Sequence, residues 1–236
     1  MFENYRTFKT TYAGRELVVE TGKTCGLANG SCWVRYGDTV VMGNVTASAK
    51  PREGVDFFPL SVDFEEKLYA VGKIPGSFLK REGKASEKAI LTSRCVDRPI
   101  RPLFPKDMRN DVSVVMTVLA VDPDNSPEIA GMIATSVALS ISDIPWNGPV
   151  ASINVGYVDG ELVLNPTLEQ RAKNKLNLTV AGSAEKIVMI EAGADEISDE
   201  LMLEAIAKGH EEIKKMVSFI NDIKAEIGKP KFEFQS

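Results

Sequence analysis

Segment 128–142 constrains the fold more than any other part of the sequence, because it is long, apolar and almost uncharged. Its residues are small or hydrophobic, and Glu128 is its one charged residue. This composition predicts a helix, and a helix that is apolar on all its faces is buried. The chain is therefore expected to fold as a globular domain with this helix in its interior.

Short strands separated by turns are predicted on both sides of this helix. The turns at Gly37-Asp38 and Asp159-Gly160 each lie between two apolar runs and predict tight β-hairpins. The predicted strands are 32–36, 39–42, 59–64, 113–121, 151–158, 161–164, 176–181 and 187–191.

Two further helices are predicted, and the order of elements indicates the fold class. Ser86 can cap a helix that runs to about Asp97, since Arg98 precedes a proline and is biased away from helical geometry. A long helix starts at Ser198 and ends near Gly228, where Lys-Pro follows. Because strands and helices do not alternate regularly, the prediction is an α+β fold and not a βαβ repeat.

The distribution of charge favours a polyanionic partner, although the net charge of −5 argues against one. The window 78–106 holds eight basic and three acidic residues, a net charge of +5, which leaves −10 for the remainder. A basic patch on an acidic body concentrates a polyanion at one place. Its basic residues are Lys80, Arg81, Lys84, Lys88, Arg94, Arg98, Arg101 and Lys106.

The chain shows no signal peptide, membrane span or metal-binding pattern. Its most apolar runs, 112–121 and 129–141, are well short of the roughly 18 residues that indicate a membrane helix. The three cysteines lack metal-like spacing and fit a reducing cytosol, so we expect a cytoplasmic protein without a membrane contact. Cys32 and Cys95 lie in apolar settings and are expected to be buried.

The loop 76–83 is the first candidate site. Phe78 lies beside Lys80 and Arg81 between flanking glycines. Single-stranded RNA is bound by such combinations, because aromatic rings stack on bases and cations neutralise phosphates. The same residue types also fit a solvated loop with one anchoring phenylalanine, and the residues alone do not decide between the two.

A second candidate is the group of arginines on the predicted helix after Ser86. Arg94 and Arg98 share a helix face, and Arg101 follows just beyond the proline. Their apolar neighbours predict partial burial, and a desolvated guanidinium needs a carboxylate or a phosphate. A structural ion pair is the more common of these two outcomes.

Three other patterns carry less weight. The carboxylates Asp63, Glu65 and Glu66 could hold magnesium, but such clusters are usually solvated. His210 has no catalytic partner in the sequence and is expected to have a surface or packing role. The turn 127–131 lacks the second glycine and the serines of a kinase phosphate loop, which excludes that class of enzyme.

Two long segments resemble the bacterial polynucleotide phosphorylases. They are 73–87 (KIPGSFLKREGKASE) and 93–105 (SRCVDRPIRPLFP), and the runs 56–60 and 156–167 add support. The resemblance covers essentially the whole chain. It implies a ribonuclease PH-like fold, similar to domain 2 of ribosomal protein S5, with two lobes, mixed sheets and packed helices.

The resemblance also implies the domain organisation. The chain would be the first of two ribonuclease PH-like domains, spanning 1–228 with lobes of about 1–145 and 146–228. Residues 229–236 would begin the linker to a helical domain. Proteins of this family form a homotrimeric ring around single-stranded RNA, and other RNA-degradation proteins are further candidate partners.

The activity that the resemblance implies is phosphate-dependent 3′–5′ exoribonuclease activity, with inorganic phosphate as co-substrate. Mg²⁺ or Mn²⁺ would be bound mainly by the second half. The residues implied to contact RNA or phosphate are Phe78, Lys80, Arg81, Arg94, Arg98 and Arg101, whereas Leu79 departs from the second aromatic residue that is common there.

No catalytic and no metal-binding residue is expected in this half. Pro127-Glu128 stands where the catalytic domain has a serine-rich phosphate turn, and Lys175 replaces a carboxylate that helps to bind the metal. Loss of both features removes two sources of charge stabilisation. The isolated chain is therefore expected to be inactive. In the longer enzyme, the arginines of this half would complete the active centre of the second domain. The alternative is a non-catalytic RNA-binding or scaffold module with no direct contribution to the active centre.

Overall fold

The first lobe contains a six-stranded sheet in the computed structural model, which describes residues 3–76, 78 and 80–234. The spatial order is β1-β2-β3-β4-β6-β5, and every neighbouring pair is antiparallel except β5 with β6. The hairpin predicted at Gly37-Asp38 is confirmed, because Tyr36 pairs with Thr39 across it. The strands are β1 (Arg6–Tyr12), β2 (Arg15–Thr21), β3 (Gly30–Tyr36), β4 (Thr39–Ala47), β5 (Leu60–Glu66) and β6 (Val112–Ala120).

The second lobe contains a four-stranded antiparallel sheet with the order β10-β9-β7-β8. The hairpin predicted at Asp159-Gly160 is confirmed. Both turn residues have positive φ values, +50° and +89°, as a type I′ turn requires. The strands are β7 (Ala151–Val158), β8 (Glu161–Leu164), β9 (Leu176–Gly182) and β10 (Ile187–Ala194).

Helices join the two sheets around one core. The helices are α1 (Glu87–Ile100), α2 (Pro127–Ile141), α3 (Leu168–Ala172) and α4 (Asp199–Ile227). Every residue of α2 from 129 to 141 is buried, against β3 and β4 of the first sheet and against α4 and β7. A Cβ at Gly43 of β4 would lie 2.9 Å from the Cβ of Ala134, so glycine permits this close packing. The predicted buried helix and the α+β class are both confirmed.

The C-terminal boundary of α1 differs from the prediction. The helix was expected to end at about Asp97, but it continues to Ile100 with Pro99 in its last turn. Pro99 and Ile100 are both buried. Burial of these two side chains outweighs the local bias of Arg98 against helical geometry, which is a common way for packing to override propensity.

Two predicted packing roles can be compared with the structure. Cys32 is buried, and its Sγ donates a weak hydrogen bond to the carbonyl of Ala134 at 3.2 Å, as expected for a small interior residue. Cys95 is only half-buried. The ring of His210 on α4 hydrogen bonds to the carbonyl oxygen of Ser183 at 3.0 Å, which confirms its packing role.

The segment after α4 returns to the first lobe. The amide of Lys229 donates to the carbonyl of Ile141 at 3.0 Å, and the amide of Phe232 donates to that of Asp143 at 2.8 Å. Residues 229–234 of the predicted linker therefore lie against the first lobe. Residues 235–236 lie outside the described part of the chain. The described helices include none whose length and apolarity suffice to cross a bilayer.

Candidate nucleic-acid interface

Helix α1 is fixed at its N-terminus and buries one of its faces. The hydroxyl of Ser86 accepts a hydrogen bond from the amide of Ala89 at 3.0 Å, as an N-cap does, and donates to Glu66 at 2.7 Å. Residues at helical spacing form the buried face: Ala89, Thr92, Val96, Pro99 and Ile100. The opposite face of α1 is directed outward and carries the candidate arginines.

The predicted partial burial is wrong for Arg94 and Arg98. Both are exposed, and the side chain of Arg98 is 58% exposed. Of the apolar neighbours on which the prediction rested, Ile90 and Leu91 are themselves 51% and 60% exposed, whereas Cys95 is half-buried. Because these guanidinium groups are hydrated, burial does not force them to take an internal carboxylate.

Arg101 is already engaged in contacts within the fold. Its Nη2 lies 2.7 Å from Oδ1 of Asp97, and its Nε lies 3.1 Å from Oδ2, so the pair is bidentate. Nη2 also donates to the carbonyl of Leu60 at 3.1 Å. Arg101 thus ties the end of α1 to the start of β5, although its side chain is still 42% exposed.

Arg98 and Arg94 have weaker engagements. Nη1 of Arg98 lies 3.8 Å from Glu191 on β10, and since both side chains are more than half exposed, water and salt screen this pair. The thiol of Cys95 donates to the same carboxylate at 3.2 Å. Burial raises the pKa of Cys95 to about 11, and the hydrogen bond to Glu191 adds to the rise, so the thiol stays protonated. Among the described residues, Arg94 has no ion-pair partner.

The loop that precedes α1 displays its aromatic residue to solvent. Phe78 is fully exposed, and Lys80 and Arg81 are exposed next to it. The carboxylate of Glu82 accepts a hydrogen bond from the amide of Leu68 at 3.0 Å and so holds the base of the loop. The ring of Phe78 is available for stacking. Leu79, the departure from the family pattern, lies outside the described residues.

A cleft of about 260 Å³ lies between α1, the N-terminus of α2 and the second sheet. Glu128 accepts hydrogen bonds there from the hydroxyl of Ser126 and from Nζ of Lys88, the latter at 2.5 Å. Burial raises the pKa of Glu128, but these hydrogen bonds outweigh it and hold the pKa below its usual value. The helix N-terminus favours an anion, and the chain's own carboxylate occupies that place.

The donor set of the described residues does not fit a divalent metal ion. Lys175, at which the resemblance implies the loss of a metal-binding carboxylate, is exposed just before β9. Glu65 pairs with Lys67 at 2.5 Å, and Glu66 accepts from Ser86, so both carboxylates have structural partners. Residues 3–76, 78 and 80–234 contain no group of three or more His, Cys, Asp or Glu side chains that could hold a metal.

The sequence analysis missed one ion pair and one residue that shape this surface. The pairing of Lys88 with Glu128 across the cleft was not predicted. The sequence does indicate that Glu128 needs a cationic partner, because it is the one charged residue on an otherwise apolar helix. Glu191 on β10 was also missed. No sequence signal marks it, since its proximity to Arg98 and Cys95 arises from packing between residues almost a hundred positions apart.

Comparison with known proteins gives matches along most of the chain. Residues 13–145 match domain 1 of the 3′ exoribonuclease family, and residues 148–212 match domain 2. Rice (Oryza sativa) Rrp46 has a similar crystal structure, with a TM-score of 0.69 and 16% sequence identity over 95% of this chain and 96% of that one. This likeness confirms the ribonuclease PH-like fold.

Curated relatives are much more similar in sequence. A polyribonucleotide nucleotidyltransferase of Ruminiclostridium cellulolyticum is 66% identical over 98% of this chain, and that of Clostridioides difficile is 65% identical over 98%. The chain spans about a third of the length of these relatives, 33% in both cases. On the family match over residues 13–145, this chain belongs to the 3′ exoribonuclease family.

Proposed function

We propose that this chain is the first ribonuclease PH-like domain of a polynucleotide phosphorylase and that it holds the RNA strand. The whole enzyme would be a phosphate-dependent 3′–5′ exoribonuclease that shortens RNA to nucleoside diphosphates. The 66% identity with a polyribonucleotide nucleotidyltransferase over 98% of the chain supports this proposal. In this organisation the domain spans 1–228, with lobes of about 1–145 and 146–228, and residues 229–236 lead to a helical domain.

The observation that carries the RNA-holding role is the hydration of the basic window. All eight of its lysines and arginines are exposed in a chain whose net charge is −5. Exposed cations without strong internal partners are free to neutralise phosphates, and this neutralisation supplies most of the affinity for a nucleic-acid backbone. The exposed ring of Phe78 adds a surface on which bases can stack.

Of the six candidate contacts, Phe78, Lys80, Arg81 and Arg94 fit this role best. Arg98 can exchange its screened contact with Glu191 for a phosphate at small cost. Arg101 has to give up a bidentate pair to do the same. Arg101 is therefore the member of the set whose contact with RNA is weakest in this proposal.

Cleavage is assigned to the remainder of the enzyme. Phosphate would attack the last phosphodiester bond of RNA, and positioning together with charge stabilisation would lower the barrier. Mg²⁺ or Mn²⁺ would supply part of that stabilisation from sites mainly in the second half. In this chain Glu128 repels phosphate from the cleft, and Lys175 cannot bind a cation, so its own residues orient the strand and do not cleave it.

The proposed setting is a homotrimeric ring in the cytoplasm that threads single-stranded RNA and associates with other RNA-degradation proteins. Exposed apolar side chains support a surface for a neighbouring domain. Ile90 and Leu91 on α1 are more than half exposed, and Val188 and Ile190 on the edge strand β10 are 40% and 45% exposed. Apolar area of this kind on a sheet edge is normally covered in an assembly.

A non-catalytic scaffold module is the second candidate function. It is favoured by the cations that have internal partners, namely Arg101 with Asp97 and Lys88 with Glu128. In that case no arginine of this half would contribute to the active centre of the second.

Phosphorolysis assays separate these possibilities. Purified chain with RNA, phosphate and magnesium is expected to release no labelled nucleoside diphosphate, whereas the longer enzyme releases it; release by the chain alone would overturn the assignment of cleavage to the other half. In the longer enzyme, the Arg94→Glu/Arg98→Glu variant is then compared with wild type for both rate and RNA affinity. If the rate falls far more than the affinity, the scaffold function is excluded.

A further inference from the structure

A second cleft, of about 580 Å³, lies where strands of the first sheet meet the C-terminal ends of α2 and α4. It shares no lining residue with the cleft at the N-terminus of α2. Arg6 of β1, Thr21 of β2 and Gly30 of β3 contribute to its walls, and Ile141 and Ile227 come from the two helices. The volume is in the range that binds small organic ligands.

The charged residues that line this cleft are all cations. Arg6, Lys23 and Lys229 line it, and no aspartate or glutamate does. Nζ of Lys23 lies 4.0 Å from Glu20, at the limit of an ion pair. Arg6 and Lys229 have no carboxylate partner among the described residues and donate to the carbonyls of Tyr5 and Asn29, at 2.9 and 2.8 Å. A concave surface lined by one sign of charge concentrates ions of the opposite sign.

The C-terminal end of α2 in the cleft does not cancel this positive charge. The carbonyl groups at the end of α2 accept hydrogen bonds from within the chain: Nζ of Lys231 donates to the carbonyls of Leu139 and Ser140, at 3.0 and 3.2 Å. The amide of Lys229 donates to the carbonyl of Ile141. The negative end of the helix dipole is thus offset by a lysine before any ligand arrives.

The cleft also offers apolar surface. Ile141 at the end of α2 and Ile227 at the end of α4 line it beside these cations.

The backbone of residues 22–30 closes one side of the cleft. Gly22 has a φ of +74°, and a Cβ at this position would lie 2.1 Å from the carbonyl oxygen of Asn4. Glycine therefore allows the N-terminal segment to pass directly over the turn after β2. The turn is held in place by the hydrogen bond from the indole of Trp33 to Thr24, at 2.9 Å.

We propose that this cleft binds an organic phosphate, whose phosphate groups contact Arg6, Lys23 and Lys229 and whose organic part packs on Ile141 and Ile227. The site is independent of the RNA-holding role, because it uses none of the residues of the basic window.

The test is calorimetric titration of the 236-residue chain with three probes: ADP, inorganic pyrophosphate and adenosine. ADP is expected to bind with a salt-sensitive affinity, pyrophosphate more weakly because it lacks the apolar contact, and adenosine not measurably. If neither ADP nor pyrophosphate gives saturable binding, the proposal is wrong. Equal affinity for the two would contradict the assignment of Ile141 and Ile227 to the organic part.

Paired variants locate the site. Arg6→Ala/Lys23→Ala is expected to weaken ADP binding by about tenfold or more, since two charge-assisted contacts are lost. The matched control, Lys9→Ala/Arg35→Ala, removes the same charge from exposed positions on β1 and β3 outside the cleft and should leave binding within about twofold. An equal loss in the two double variants would show that ADP responds to net charge and not to this cleft.

Lys229→Ala gives an answer even if the double variant does not fold. Lys229 is exposed and its Nζ donates to the carbonyl of Asn29 at 2.8 Å, so the variant should keep its thermal stability while ADP affinity falls. Unchanged ADP affinity in a stable Lys229→Ala chain would overturn the role of this cation as a ligand contact.

Discussion

The two sides of helix α1 both carry basic side chains, but these side chains differ in whether a carboxylate lies close to them. On the outward side, Arg94 has no ion-pair partner in the described chain, and Arg98 has one at 3.8 Å. On the side toward α2, Lys88 lies 2.5 Å from a carboxylate that is largely buried. The comparison teaches that a count of basic residues does not identify a binding surface. What matters is whether the fold already supplies the counter-charge.

The two sides also differ in what their charges contribute to folding. Exposed cations with screened partners contribute little to stability, so a ligand can take them without cost to the fold. Glu128 and Lys88 hold a helix terminus to α1, and their separation would leave a carboxylate poorly solvated. The outward side is therefore suited to RNA, and the cleft is suited to structure.

The largest expected effect is on RNA binding by the outward side. Arg94→Glu/Arg98→Glu should lower the affinity of the chain for single-stranded RNA by about a hundredfold at low salt, because two phosphate contacts become repulsive. The matched control is Lys9→Glu/Arg35→Glu, which makes the same charge change on the first sheet. Fluorescence anisotropy measures the RNA affinity of both variants. An equal loss of affinity in the control would mean that RNA responds to the net charge of the chain and not to the outward side of α1.

The aromatic residue of the loop should have the next largest effect. Phe78→Ala is expected to weaken RNA binding by about tenfold, the loss of one stacking contact. The melting temperature of the Phe78→Ala variant should equal that of the wild type, because the ring of Phe78 is fully exposed. Phe57→Ala, at a ring 61% exposed outside the basic window, serves as the control and should bind RNA normally. Normal binding by Phe78→Ala would remove the loop from the interface.

On the inward side, Glu128→Gln should lower the free energy of unfolding by about 1–2 kcal/mol at pH 7. The pKa of Glu128 is lower in the folded chain, so its contribution is complete above the unfolded pKa of about 4.3 and disappears as the pH falls through the folded pKa. The two proteins should therefore converge in stability at acidic pH. Denaturant titrations at several pH values test this.

Glu87→Gln is the control for that measurement, since Glu87 occupies the first turn of α1 and is exposed. It should change stability by less than about 0.5 kcal/mol. A pH-independent difference between wild type and Glu128→Gln would mean that the carboxylate charge is not what stabilises the cleft.

The smallest effect is expected at Arg101, which shares features of both sides. Arg101→Ala should cost about 1 kcal/mol or less of stability, because its pair with Asp97 is bidentate but partly exposed. It should weaken RNA binding less than Arg94→Ala does. If Arg101→Ala leaves stability intact and weakens RNA binding as strongly as Arg94→Ala, Arg101 belongs to the RNA surface.

Local patterns in the sequence were sufficient for most of the fold. The uncharged composition of 128–142 predicted the interior helix, and Asp159-Gly160 predicted a hairpin whose strands have the expected bounds, 151–158 and 161–164. The strands β1 and β2 were not among the predicted strands, because their alternation of apolar and polar residues is irregular. The short helix α3 was missed, since five residues are too few for periodicity to register.

The candidate site was less predictable, because it depends on contacts between distant segments. Composition located the basic window, but not which of its members would be paired. Arg101 contacts Asp97, which lies four residues earlier in the sequence, whereas Lys88 contacts Glu128 forty residues away. Partial burial of Arg94 was wrongly predicted because Ile90 and Leu91 were expected to be buried, and both are more than half exposed.

The most direct test of the RNA-holding surface is ultraviolet crosslinking of single-stranded RNA to the 236-residue chain, followed by mass spectrometry of the crosslinked peptides. Crosslinks are expected between residues 78 and 98, on the exposed loop and the outward face of α1. Crosslinks that fall instead in the cleft lined by Arg6 and Lys23, with none between 78 and 98, would contradict the account.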